Sequence, residues 1–126
     1  MIKQRFFRCK HCGNFVGLIK DEGPPLTCCG EAMAELVPNT HDASVEKHVP
    51  EVTVAGDRIS VQVGSTAHPM EAEHHISFIY VETESGGQRK CLKVGEAPKA
   101  EFSFIGDKPI AVFEYCNLHG LWVKEL

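Results

Sequence analysis

The chain has no apolar run approaching the roughly 18 residues that a membrane-spanning helix needs. It has no excess of positive charge either. Thirteen Lys and Arg stand against seventeen Asp and Glu, a net charge of −4, which argues against a general nucleic-acid surface. The opening Met1-Ile2-Lys3-Gln4-Arg5 lacks the apolar core and small-residue cleavage site of a secretory signal, so the cytoplasm is the expected compartment. No stretch carries a convincing amphipathic helical period, and neither an internal repeat nor a low-complexity tract is visible.

What the chain does have is six cysteines and seven histidines in 126 residues. In a reducing compartment such cysteines read as metal ligands or reactive thiols rather than disulfides. Their distribution is uneven. Cys9, Cys12, Cys28 and Cys29 fall in the first thirty residues, whereas most histidines lie between positions 48 and 119. The turn-like Pro38-Asn39-Thr40 separates the two groups and predicts domains at 1–37 and 38–126.

A segment of about 37 residues cannot bury enough apolar surface to fold alone and needs a metal or another staple. Cys9-Lys10-His11-Cys12-Gly13 is a metal knuckle, and Cys28 with Cys29 would complete four thiolates, a set suited to zinc or a single iron. Zinc fits this spacing as well as iron does. The second pair is adjacent, and neighbours on a regular strand point to opposite faces. Both can face one ion only if the backbone bends sharply there, with a widened angle between the two sulfurs. Pro24-Pro25 before the pair and Gly30 after it suit such a bend.

The second part reads as all-β. Segments 52–55, 59–63, 76–82, 91–94, 101–105, 110–115 and 121–124 are short and rich in β-branched and aromatic residues, with turn residues between them. Seven such strands predict a small antiparallel sandwich of the Ig-like kind.

Three stretches of that sandwich carry a second constellation: Glu46-Lys47-His48-Val49-Pro50, His68-Pro69-Met70 running to His74, and Cys116-Asn117-Leu118-His119. Taken singly, each histidine reads as a surface or packed residue, Cys116 as a small buried hydrophobe, and Glu46 with Lys47 as a solvated pair. Together, four imidazoles and one thiolate exceed the four ligands at which a structural zinc site closes. They suit iron with an open position for substrate. A ferrous ion held by one thiolate and neutral imidazoles keeps a single positive charge, which draws an anion, and Lys47 would strengthen that pull. An electron-rich thiolate pushes density through the metal towards a bound oxygen species.

These motifs, in this order, resemble desulfoferrodoxin, the two-iron form of superoxide reductase, and the resemblance covers nearly the whole chain. It implies a desulforedoxin-like domain holding iron on Cys9, Cys12, Cys28 and Cys29. It also implies a catalytic iron with His48, His68, His74 and His119 in the equatorial plane and Cys116 axial. Lys47 would attract or orient superoxide. Glu46 would occupy the sixth position in the oxidised state and help expel peroxide. The four-cysteine iron would act as an accessory electron-transfer centre, a small donor such as rubredoxin would re-reduce the catalytic iron, and the chain would form a homodimer. Two other readings use the same residues: a zinc-knuckle binding module with incidental histidines, and a pure two-iron electron carrier. His75, next to His74, should face away, and Cys91 and His41 read as a free thiol and a surface residue.

Overall fold

The computed structural model describes all residues, 1–126. It is almost entirely β, and its contacts separate into two compact units, Lys3–Val37 and Pro38–Leu126.

The first unit holds a three-stranded antiparallel sheet in the order β2-β1-β5, formed by β1 (Arg5–Arg8), β2 (Phe15–Leu18) and β5 (Ala34–Glu35). Its buried apolar inventory is short: Phe6, Phe7 and Cys9. Arg5 bridges Glu35 and Asp21 at 2.9 and 2.6 Å, but these side chains are about half exposed, and such pairs contribute only about 0–1 kcal/mol. So small a core is what makes a four-thiolate staple necessary. A two-stranded hairpin, β3 (Thr27–Cys28) with β4 (Glu31–Ala32), completes the unit.

The second unit is a sandwich of three strands on four. One sheet runs β10-β7-β6, from β6 (Pro50–Ala55), β7 (Arg58–Val63) and β10 (Lys99–Ser103). The other runs β12-β11-β8-β9, from β8 (Ile76–Thr83), β9 (Gly87–Cys91), β11 (Pro109–Cys116) and β12 (Gly120–Glu125). All pairings are antiparallel. The fourth strand pairs with the third and so joins the sheet of the third, sixth and seventh strands, whereas an Ig constant domain places its fourth strand with the first, second and fifth. Strand β7 shows why the layers form: its residues alternate exposed and buried along their whole length, placing Ile59, Val61 and Val63 inwards. These pack with Ile76, Ile79, Val81, Phe102, Phe104, Val112 and Cys116 into one core. Cys116 is therefore a core residue as well as a candidate ligand.

Two expectations need correction. The strand expected at 91–94 lies at Gly87–Cys91 instead. Gln88, Arg89 and Lys90 carry no strand propensity and are wholly exposed. They form a strand because β8 offers them a free edge, in a ladder from Glu82–Gly87 to Phe78–Cys91. The chain also forms one helical turn, α1 (Val45–His48), where none was expected. Four residues are too few to carry a helical period. The turn is closed by the Val49 N–H on the Val45 carbonyl, 3.0 Å, and held from outside by Gly64, Ser65 and Thr66.

Candidate metal centres

The four cysteines of the first unit converge. Their sulfurs lie within 4.8 Å of one another. Cys12 Sγ is 3.6 Å from Cys28 Sγ, and Cys28 Sγ is 4.0 Å from Cys29 Sγ. A disulfide needs about 2.05 Å, and all six cysteines of the chain are free. A tetrahedron with metal–sulfur bonds of about 2.3 Å has edges of about 3.8 Å, which is the spacing seen.

Local backbone explains how adjacent cysteines share a site. Cys29 and Gly30 both have positive φ, 53° and 75°, at the centre of the two-residue β3–β4 loop. Positive φ at both positions is the mark of a type I′ hairpin, and it turns both side chains to one side. Around the sulfurs, the backbone N–H groups of Cys12 and Asn14 point at Cys9 Sγ and Cys12 Sγ, each at 3.4 Å. The Cys12 N–H, the largest influence, brings the Cys9 thiol down to about 6. Crowding by Cys12, then Cys9 and Cys28, pushes Cys29 up to about 12. Four thiols this close cannot all ionise without a cation among them. His11, inside the knuckle, bonds Glu31 at 2.7 Å and is exposed.

The second cluster is assembled from four places at one end of the sandwich. His48 ends α1, His68 sits in the loop after β7, His74 closes a tight turn just before β8, and Cys116 with His119 bracket the β11–β12 turn. The Nε2, Nδ1 or Sγ atoms of His48, His68, His74 and Cys116 lie within 4.8 Å of one another. His119 Nδ1 is 3.0 Å from His48 Nε2 and 3.9 Å from Cys116 Sγ. The four rings form a closed cycle. Successive centroids lie 4.7, 4.6, 5.0 and 4.9 Å apart, with interplanar angles of 79°, 80°, 85° and 81°. Across the cycle, His48 and His74 are 6.3 Å apart and inclined by only 29°.

The hydrogen bonds around this cycle test whether a metal fits. His48 Nδ1 faces the Ser44 carbonyl at 2.6 Å and His68 Nδ1 faces the Pro69 carbonyl at 2.7 Å. A carbonyl only accepts, so both Nδ1 atoms carry the proton and both Nε2 atoms present lone pairs. Those two Nε2 atoms are 3.2 Å apart, a contact between lone pairs that needs a cation to bind them. His74 Nε2 is buried with no hydrogen-bond partner, which is a further unsatisfied donor atom aimed at the same place. The donor set therefore fits a metal ion. Burial favours the neutral form of three rings: it lowers His48 and His119, and takes His68 down to about 4. Burial raises the Cys116 thiol, while the N–H groups of His119 and Leu118 draw it the other way.

A β-bulge aims the thiol. Tyr115 pairs with Phe78 but Cys116 pairs with Ile76, so Ser77 is the extra residue. His48 stacks on Trp122, centroids 4.9 Å apart, and Trp122 donates to the His119 carbonyl at 3.0 Å. Glu46 and Lys47 are exposed on α1, the helical turn that ends in His48. A hydrogen bond from its own N–H, before Ser44 and Lys47, holds the Glu46 carboxyl below its ordinary value.

His41 and His75, which the sequence sets outside the ligand group, and two residues that no motif flagged complete the surroundings. His41 is exposed, but its ring stands edge-on to His119 at 5.3 Å. His75 lies outside the cycle, its Nδ1 against the Glu71 and Ala72 carbonyls. Glu114 is fully buried, its carboxyl oxygens have no partner, and burial raises its pKa well above the usual range. Period-2 alternation was the available signal for it, since it puts Glu114 on the inward face with Val112 and Cys116. Gly64 is a further residue no motif flagged: a Cβ there would sit 2.6 Å from the Glu46 carbonyl oxygen.

Comparison with known proteins agrees with the geometry. The family description "Desulfoferrodoxin" matches residues 40–125, and "Desulfoferrodoxin, N-terminal domain" matches residues 3–36. The desulfoferrodoxin of Nitratidesulfovibrio vulgaris is 44% identical over 94% of this chain and 94% of its own. That of Syntrophotalea carbinolica is 44% identical over 98% and 97%. The superoxide reductase from Treponema pallidum has a solved structure that superposes with a TM-score of 0.83 at 35% identity, covering 98% of this chain and all of its own. A matched model spanning most of the chain and relatives at this identity and coverage place it: the chain belongs to the desulfoferrodoxin family.

Proposed function

We propose that this chain is a superoxide reductase, converting superoxide to hydrogen peroxide with one electron and two protons per turnover. The observation that carries the reading is the closed cycle of four imidazoles, each nearly perpendicular to its neighbours, beside the buried thiol of Cys116. His48, His68, His74, His119 and Cys116 would hold one iron, and Cys9, Cys12, Cys28 and Cys29 a second. Bound iron supplies the single electron that superoxide accepts.

The protein's own groups do the rest. His48 and His68 are almost wholly buried while His74 and His119 are only partly buried, so the cycle presents one side towards the surface. Lys47 is an exposed cation on the residue before His48. It raises the local concentration of a small anion, an effect that salt screens over roughly 10 Å at 0.1 M. Glu46, kept anionic, assists departure of the product. Cys116 loses its proton readily only with a cation alongside, so its electron-rich sulfur is present when metal is bound. This favours passing charge outward to the substrate over withdrawing it, hence reduction over dismutation. A rubredoxin-like donor returns the electron, and the unit 1–37 serves as an accessory transfer centre to the catalytic unit 38–126. A homodimer acting in the cytoplasm to remove superoxide completes the proposal. No helix is long and apolar enough to cross a membrane.

The test is iron stoichiometry with a visible spectrum before and after oxidation, followed by rapid mixing with superoxide. Two irons per chain and stoichiometric peroxide are expected. Zinc and no colour would point to a binding module; reversible redox colour without peroxide would point to an electron carrier.

A further inference from the structure

Asn117 lies between Cys116 and His119 in the β11–β12 turn, yet its side chain bonds nothing in that turn. Its Oδ1 accepts from the His75 N–H at 2.8 Å, and its Nδ2 donates to the Glu73 carbonyl at 3.1 Å. Its own N–H donates to the His75 carbonyl at 3.2 Å. The three bonds grip the chain on both sides of His74 without touching the imidazole.

The other bonds of this loop shape it without relating it to the remaining ligands. Glu71 and His74 exchange backbone bonds of 2.9 and 3.1 Å, His75 Nδ1 caps the Glu71 and Ala72 carbonyls, and the Ile76 N–H reaches Met70 Sδ at 3.3 Å. All of these close within residues 70–76, and the Gly95 N–H bond to the Met70 carbonyl, 2.9 Å, ties the loop to the β9–β10 connection, which carries none of the other ligands. The β8–β11 ladder ends at the Cys116–Ile76 pair, just past a bulge, and Asn117 carries the connection beyond it. His48 and His68 are each aimed by a ring hydrogen bond to a carbonyl. His74 has no such bond, and its buried, unpartnered Nε2 is the atom that faces the cluster, so its direction rests on where the flanking backbone is held.

We propose that Asn117 is a positioning residue that fixes the His74 imidazole relative to Cys116 and His119 before metal arrives, a role that rests on reading this cluster as the iron site. Outer groups that orient metal ligands are commonly worth roughly 10–100-fold in affinity or activity. The electronic state of the centre should register their loss as well.

The test compares full-length, iron-loaded wild type with Asn117→Ala and Asn117→Asp. Three readings are taken: iron release from the histidine–cysteine site to a ferrous chelator, the energy of the thiolate-to-iron absorption after oxidation, and amide exchange at His75. In Asn117→Ala, iron release should be roughly 10–100-fold faster, the absorption displaced, and the His75 amide less protected. Asn117→Asp keeps an acceptor for the His75 N–H but sets an oxygen against the Glu73 carbonyl. It should fall between the other two on every reading, and it carries the test if the alanine variant does not fold. A variant with a lowered Tm but wild-type iron retention and absorption energy makes Asn117 mere scaffold and overturns the proposal. Failure of the wild type to hold iron on these five residues would instead remove the site assignment itself, and this inference with it.

Discussion

Gly64→Ala is expected to cost the sandwich about 2–5 kcal/mol and to loosen the histidine–cysteine site, and both effects follow from one backbone position. Gly64 has φ of +79°, where a side chain costs about 1–2 kcal/mol. A Cβ built there lies 2.5 Å from the Thr66 carbonyl oxygen, 2.6 Å from that of Glu46 and 2.7 Å from the Lys47 carbonyl carbon. All three are backbone atoms, so no side chain can swing aside. The contacts must open by roughly 0.8 Å to reach ordinary separation, and overpacking of this kind costs about 1–3 kcal/mol. Gly106→Ala is the internal control: its φ is +67° and nothing lies within 4 Å of its Cβ, so only the dihedral cost applies. At about 4–8 °C per kcal/mol for a domain this size, Gly64→Ala should melt at least 4 °C below Gly106→Ala. The displaced atoms belong to Glu46 and Lys47, directly before His48, so iron should also be released faster to a chelator. Thermal unfolding of both apoproteins and a chelator assay on both loaded proteins read this out. Equal melting temperatures for the two variants would refute the argument that Gly64 is required by close backbone approach.

Cys116→Ser should abolish superoxide reduction while the four-cysteine centre keeps its spectrum; retained turnover would remove the thiolate from the chemistry. Lys47→Ala should slow the reaction several-fold at low ionic strength and flatten its salt dependence, and an unchanged rate–salt plot would eliminate steering. For the apoprotein, burial takes His68 down to about 4 from 6.5. The unfolded chain therefore binds a proton that the folded chain refuses, and stability should fall as pH drops from about 6.5 to 4, by on the order of 3 kcal/mol from this residue. Denaturant titrations of metal-free protein showing constant stability across that window would contradict it. Glu114 has the opposite sign. Its raised pKa means the folded state keeps a proton that the unfolded state sheds, so stability declines as pH rises above about 4.5. Glu114→Gln should weaken that decline and raise Tm at neutral pH, and a lowered Tm there would mean the carboxyl is satisfied by something other than protonation.

Much of the architecture was legible because two patterns are strong. The density of β-branched and aromatic residues along 59–63 and 76–82 predicts strands that the structure places at Arg58–Val63 and Ile76–Thr83. The cysteine and histidine motifs name residues that the fold does bring together. What escaped notice is set by neighbours rather than by local sequence. Gly87-Gln88-Arg89-Lys90 is a strand because β8 has an open edge, and no propensity announces it. The first unit's short strands are similarly slight, two residues long at β3, β4 and β5, and are organised around the cysteines rather than around a hydrophobic period. Gly64, Trp122 and Asn117 serve the site through contacts with residues distant in sequence. Only their positions in space reveal that they do so.

The placement of the ligands explains why one end of a plain sandwich can hold such a centre. Val63, Ile76 and Cys116 are completely buried, and three of the four ligand-bearing segments leave the core next to one of them. Val63 leads into the His68 loop, Ile76 follows His74, and Cys116 is itself the last core residue of β11. Interiors packed to crystal-like density hold such points to fractions of an ångström, so the side chains that must converge are mounted on the part of the protein least able to move. The exposed Glu46 and Lys47 sit two and one residues before the buried His48, on a helical turn stabilised mainly by bonds to Gly64 and its neighbours. On the proposed reading, metal geometry and encounter with substrate would fall to different mechanical regimes: the first set by the core, and the second left to two solvated side chains that can reorient without disturbing it.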